Sequence, residues 1–199
     1  VYTWPPFFLK DETGNWSGAV PGIVEPVLNR MGYTVSFVAM PFARALEEMK
    51  GGTYPAIAAC VVGGGREEYL QFSDPVVSIF SVLWKQQNDD RCWQNYTDLA
   101  GRTVGISPYH YGAGFLDAAQ RGVFEVDLVS AKAPEIIHFQ KLIQGKIDMF
   151  ICEKSVGIYL NKAHRPEFDA VDFCPLGVCT ARPFPFTLSK ADFIDRTAR

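Results

Sequence analysis

The chain has 199 residues, 48% hydrophobic and 14% aromatic, enough to bury a substantial core and too apolar for a disordered chain. Nineteen basic against 22 acidic side chains leave a formal charge of −3, which supplies no electrostatic drive toward nucleic acid or an anionic membrane and fits a neutral or zwitterionic small ligand better. Every apolar run is cut by Gly, Pro or charge well short of the roughly 20 residues a spanning helix needs, so the chain is expected to be soluble. It begins at Val1 with no basic and apolar leader, so any signal peptide has been cleaved or trimmed, and the residues alone neither show nor exclude export.

After a loop at residues 10–18, Val20, Ile23, Val24, Val27, Leu28 and Met31 follow helical spacing up to Gly32, with Pro26 expected in the first turn, where its missing amide costs least. Residues 34–37 alternate as a half-buried strand. Pro41 then opens a second helix with Phe42, Ala45, Leu46 and Met49 on one face, closed by Gly51 and Gly52. Residues 54–62 read as a buried strand broken by Gly63, Gly64 and Gly65, and residues 78–84 read as another.

The second half repeats the alternation. Strands are expected at 103–106, 126–130 and 147–151, with helices at 113–120, at 134–144 and through Val156, Tyr159, Leu160 and Ala163. Such alternation predicts an α/β fold with mainly parallel sheets flanked by helices. The polar stretch 86–94 is expected to join two lobes, and the proline-rich stretch 173–186 to cross back. Lobe 1 would comprise residues 1–85 with 186–199, and lobe 2 residues 86–185.

Five cysteines, Cys60, Cys92, Cys152, Cys174 and Cys179, show no paired zinc spacing. Cys174 and Cys179 bracket a short Pro/Gly segment that could close as a local disulfide in an oxidising compartment, the alternative being buried free thiols. No nucleophile sits beside a base, and the glycines at 63–65 lack the Lys and Ser/Thr of a phosphate loop. The expectation is therefore a protein that is not an enzyme and uses neither a metal nor a cofactor.

A set of segments occurs in a telling order: WPPF (residues 4–7), Gly18 and Gly22 before a helix, PFARALEEMKGG (41–52), GREEYLQFSDPV (65–76), LAGRTVGIS (99–107) and LIQGKIDMFICE (142–153). In that order the chain resembles the family 3 solute-binding proteins, the periplasmic amino-acid-binding components of ABC importers, over essentially its whole length. The resemblance implies a two-lobed type II periplasmic-binding fold with the ligand cleft between lobes, a small-molecule ligand, an ABC permease as partner, a monomer, and a periplasmic or other extracytoplasmic location. It also implies a first strand and a C-terminal helix beyond the two ends, about 20 to 30 further residues. The same fold serves sensor domains of membrane signalling proteins, the alternative reading, and a periplasmic dehydratase, a more distant one.

The resemblance also assigns roles. Arg66, after three glycines, would hold the ligand's α-carboxylate through two parallel hydrogen bonds, the plain alternative being a surface pair with Glu67 or Glu68. Glu153, where many relatives carry Asp, would meet the ligand's ammonium or simply sit at a helix N-terminus. Trp4, Phe7 and Phe42 correspond to an aromatic wall, and Arg44 either reaches the cleft or faces solvent. Two departures put a standard small amino acid in doubt. Tyr109, His110 and Tyr111 replace the usual glycine and threonine, and Ala59, Cys60 and Val61 replace a serine-rich strand end, each lost hydroxyl donor being worth about 1 kcal/mol.

Overall fold

The computed structural model describes residues 3–108, 111, 113–131, 133–178 and 182–190. The chain divides into two compact units, residues 1–79 with 182–199 and residues 80–181.

The first unit opens with a two-residue hairpin, β1 (Leu9–Lys10) against β2 (Trp16–Ser17). Helix α1 (Pro21–Arg30) follows, with Pro21 in the first turn as its fixed φ favours. Pro26 departs from expectation. It lies inside the helix, because Pro21 rather than Pro26 takes the tolerant position, so the carbonyl one turn back loses its amide partner. Gly18 is required before this helix: its φ is 109°, and a Cβ there would come within 2.7 Å of the Phe7 and Pro6 carbonyl oxygens.

Helix α2 (Phe42–Lys50) starts after Pro41 and turns Met49 inward. Met49, Ile57, Cys60 and Leu70 form the buried cluster of this unit, with Ala45, Leu46, Tyr54 and Phe72 packed around it. Residues 33–40 run without regular secondary structure, contrary to the strand expected at 34–37, since two alternating pairs alone do not make a stable ladder. The strand expected at 54–62 shortens to β3 (Ala56–Ile57). It is followed by β4 (Leu70–Ile79).

The second unit begins with β5 (Ser81–Gln86) and continues through β6 (Thr103–Ile106), α3 (Ala113–Gln120), β7 (Glu125–Leu128), α4 (Pro134–Ile143), β8 (Met149–Glu153), α5 (Lys154–Ala163) and β9 (Val171–Gly177). The strand order is β7-β6-β8-β5-β9; β6 runs parallel to β7 and β8, and β5 antiparallel to β8 and β9. One face packs Leu83, Val104, Met149 and Ile151 onto Phe115 and Ala118. Aromatic pairs build a second cluster, with Trp84 5.3 Å from Phe139, and Phe139 stacked on Phe168 at 4.7 Å.

The chain returns to the first unit as β10 (Arg182–Ser189), the centre of an antiparallel sheet ordered β3-β10-β4. Sheets that are mainly parallel therefore hold only for the β7-β6-β8 part of the second unit. In the first unit β4 and β10 are long strands paired directly with each other, an antiparallel arrangement that needs no crossover helix. The β10–β4 register shifts beside Pro185, which lacks the amide a regular ladder requires, while β3 pairs with β10 only at Ala56 and Ile57.

The unit boundaries fall six and four residues before those expected from composition. Residues 80–86 look apolar enough for either unit, but β5 lies inside the second sheet, and the polar stretch after it is tied down there. Arg102 pairs with Asp89 at 2.8 Å, and Lys85 donates to the Asp89 carbonyl at 2.6 Å. The disulfide also differs from the one considered. Cys174 is bonded to Cys92, with Cα atoms 5.4 Å apart, and not to Cys179, which lies outside the described residues. Cys60 and Cys152 are free and buried.

Candidate functional site

In the first unit the three glycines before Arg66 have φ of 113°, 68° and 74°, a left-handed run open only to glycine at no steric cost. This curl brings the chain back on itself. Arg66 Nη1 donates to the carbonyl oxygens of Val61 and Gly63, both at 2.9 Å. Its guanidinium carbon lies 5.5 Å from the centre of the Phe42 ring, at the first residue of α2. The side chain thus engages its own loop and an aromatic face rather than Glu67 or Glu68. With Nη1 committed, the three N–H groups on Nε and Nη2 remain outside those two bonds, and they point in the planar fork that matches a carboxylate.

Cys60 belongs to this group but not as a ready donor. Its thiol is fully buried and lies 3.5 Å from the Val61 carbonyl, and burial pushes its pKa up. Phe42, Cys60, Val61 and Arg66 are therefore brought together. Trp4 and Phe7 form their own pair, with ring centres 4.8 Å apart and Phe7 buried. Arg44 points elsewhere: its side chain is 70% exposed and pairs with Glu48 one turn on, at 3.4 Å.

In the second unit Glu153 ends β8 and caps α5. One carboxylate oxygen accepts the Val156 amide at 2.8 Å and the other the Phe80 amide at 3.2 Å. The residue is 8% exposed, so the exposed helix-end reading does not describe it. Burial raises its pKa, partly offset by hydrogen bonds from Val156, Phe80 and Ser155.

Tyr111 sits in the core beside Phe115 and Phe124 rather than on an open wall. Its hydroxyl accepts from the Ser107 amide and donates to the Ser107 carbonyl, both at 2.8 Å, and burial drives its pKa above the ordinary phenol range. Tyr109 and His110 lie outside the described residues.

Two features escaped the sequence reading. A polar cavity of about 540 Å³ in the second unit is lined by Asp89, Arg91 and Asp148 among others. Burial opposes ionisation of Asp89, yet hydrogen bonds from Arg91 and Arg102 outweigh it and hold its carboxyl far below the usual range. The other feature is the wholly buried His138. Neither belongs to a motif, since each depends on contacts between elements far apart in sequence.

The α/β chain thus passes twice between two compact units, with the Arg66 guanidinium set on a triple-glycine curl. The model of the bacterial extracellular solute-binding proteins, family 3, matches residues 1–136, and the chain belongs to that family. No curated protein matches the chain. Among solved structures, it is similar to the arginine-bound form of a truncated ArgBP from T. maritima, with 19% identity, a TM-score of 0.70, and coverage of 96% of this chain and 86% of that one. A histidine kinase sensor domain with similarity to periplasmic binding proteins gives 18% identity, a TM-score of 0.75, and coverage of 96% and 80%. The second substrate-binding domain of a putative amino acid ABC transporter from Streptococcus pneumoniae gives 16%, 0.69, and 98% and 86%. At these identities the likeness is one of fold. Among the described residues no helix is long and apolar enough to cross a membrane.

Proposed function

We propose that the protein is an extracytoplasmic solute-binding protein that captures a small, amino-acid-like molecule for an ABC permease, as a monomer and without chemical turnover. The observation that carries this reading is Arg66, whose guanidinium is braced by the Val61 and Gly63 carbonyls and backed by Phe42. Bracing removes much of the rotamer entropy that a free arginine would lose on binding a carboxylate. Family membership supports the same role.

On this reading Arg66 is a carboxylate-binding group and Glu153 an ammonium-binding group. Trp4, Phe7 and Phe42 supply aromatic surface, Cys60 and Val61 line the loop after β3, and Tyr109 and His110 add bulk beside Tyr111. Arg44 contributes only if it leaves Glu48. Arginine, the ligand in the T. maritima structure, joins glutamine, glutamate, histidine, small amines and small carboxylates in the test panel.

A thermal-shift screen of that panel tests the reading, because any ligand of the native state raises apparent stability. A stabilising compound that is recovered unchanged supports it; no stabilisation by any member, or conversion of the bound compound, contradicts it. The sensor-domain likeness favours a second reading, an input domain of a membrane kinase. A gene that continues past residue 199 into a membrane span and a kinase would select it.

A further inference from the structure

His138, on α4, is fully buried, and Nε2 lies 3.0 Å from the Ile106 carbonyl oxygen at the end of β6. A carbonyl only accepts, so Nε2 carries the proton and the neutral ring leaves a bare lone pair on Nδ1. Nδ1 is buried with no hydrogen-bond partner among the described residues. It faces the backbone at Gly105, where a Cβ would come within 2.6 Å of it, so only a glycine there leaves room for the ring. The ring also lies nearly parallel to Phe150 of β8, with centres 5.6 Å apart.

The Ile106 carbonyl is shared. It also accepts the Val129 amide at 2.9 Å, which ties the end of β6 to the residue following β7. One residue on, Ser107 is held through both backbone groups by the Tyr111 hydroxyl. His138 and Tyr111 thus both hold the peptide group between Ile106 and Ser107, at the carboxyl end of a parallel strand, the end at which open α/β sheets bind ligands.

We propose that His138 is a positioning residue that keeps the carboxyl end of β6 ordered only while its ring is neutral, making that end, and solute binding there, acid-sensitive. The binding clause rests on the function proposed above; the positioning does not. Protonation places an N–H on Nδ1 where it meets the β6 backbone instead of an acceptor, and it buries a charge. The charged groups facing the ring are Asp127 of β7 and Lys141 of α4, which bind each other at 2.6 Å and largely cancel. The strands β6 and β8 present Gly105, Ile106 and Phe150, none of which titrates, and β5 meets the same helix through Trp84 on Phe139. Burial holds the folded pKa of His138 below its ordinary 6.5, so the stabilisation is complete above pH 6.5 and is lost as pH falls toward the folded value.

The test is amide hydrogen exchange on the intact chain at pH 7.5 and 5.0, read as protection factors at Ser107 and Val129. Protection at both is expected to fall in acid, in the direction that a lowered histidine pKa dictates. In His138→Gln, whose amide can donate to Ile106 but cannot titrate, it stays level. Level protection in the natural protein, or the same fall in the variant, overturns the proposal. Should the variant fail to fold, nitrogen NMR of the His138 ring decides: titration below about pH 6.5 supports the proposal and titration at or above it contradicts it. The panel compound with the largest thermal shift is then titrated at both pH values. Weaker binding at pH 5.0 that is absent in His138→Gln supports the binding clause. If exchange responds as expected but no compound binds, the function reading alone fails.

Discussion

Arg66 reaches back five residues to the Val61 carbonyl at 2.9 Å, so the group assigned to a ligand carboxylate is positioned by its own loop. A lysine has one nitrogen for both tasks and cannot hold the loop and form two parallel bonds to a carboxylate. Arg66→Lys is expected to weaken ligand binding by at least about tenfold, 1.4 kcal/mol, while unfolding free energy changes by less than about 1 kcal/mol. Calorimetric titration beside denaturant unfolding reads both. A lysine variant with unchanged affinity would remove the bidentate role.

Glu153 gives a pH prediction with a definite sign. Its folded pKa is raised by burial, so the contribution to stability is complete below the unfolded value of about 4.5 and is lost as pH rises through the folded value. Gln cannot ionise and escapes that loss, although it gives up one capping oxygen. Glu153→Gln is therefore expected to be less stable than the natural protein by about 1 kcal/mol near pH 4, with the deficit shrinking by pH 7. Denaturant melts across that range check it, and a deficit that grows with pH would show that the carboxylate is held in its charged form.

The Cys92–Cys174 bond joins residues separated by 82 positions and closes most of the second unit into a loop. Its loss should release unfolded-state entropy worth about 2–4 kcal/mol. Cys92→Ser with Cys174→Ser, or the natural protein under reductant, is expected to lose that much unfolding free energy and to melt at a lower temperature. Equal melting with and without reductant would mean that the bond adds nothing to stability.

The second unit was legible from residues 103 to 163 because its periods are clean: β6 and α3 fall where alternation and helical spacing put them. The first unit was harder. Its strands are set by β10, which arrives from the far end of the chain, so the apolar pattern at 54–62 carries no sign that only Ala56 and Ile57 pair with it. Pro26 was misplaced because two prolines competed for one tolerant position. Of the candidate site, the Arg66 curl was readable from three glycines in a row. Glu153 at a helix N-terminus is legible as well, but its bond from the Phe80 amide, 73 positions away, and the Cys92 partner of Cys174, 82 positions away, are approaches that no local motif encodes.

The most direct measurement is an isothermal titration of the intact protein with the panel compound of largest thermal shift, beside Arg66→Ala. The account predicts one-to-one binding that heats or cools measurably in the natural protein and disappears in the variant, with both proteins folded. A folded Arg66→Ala protein that binds the same compound with undiminished affinity would contradict it.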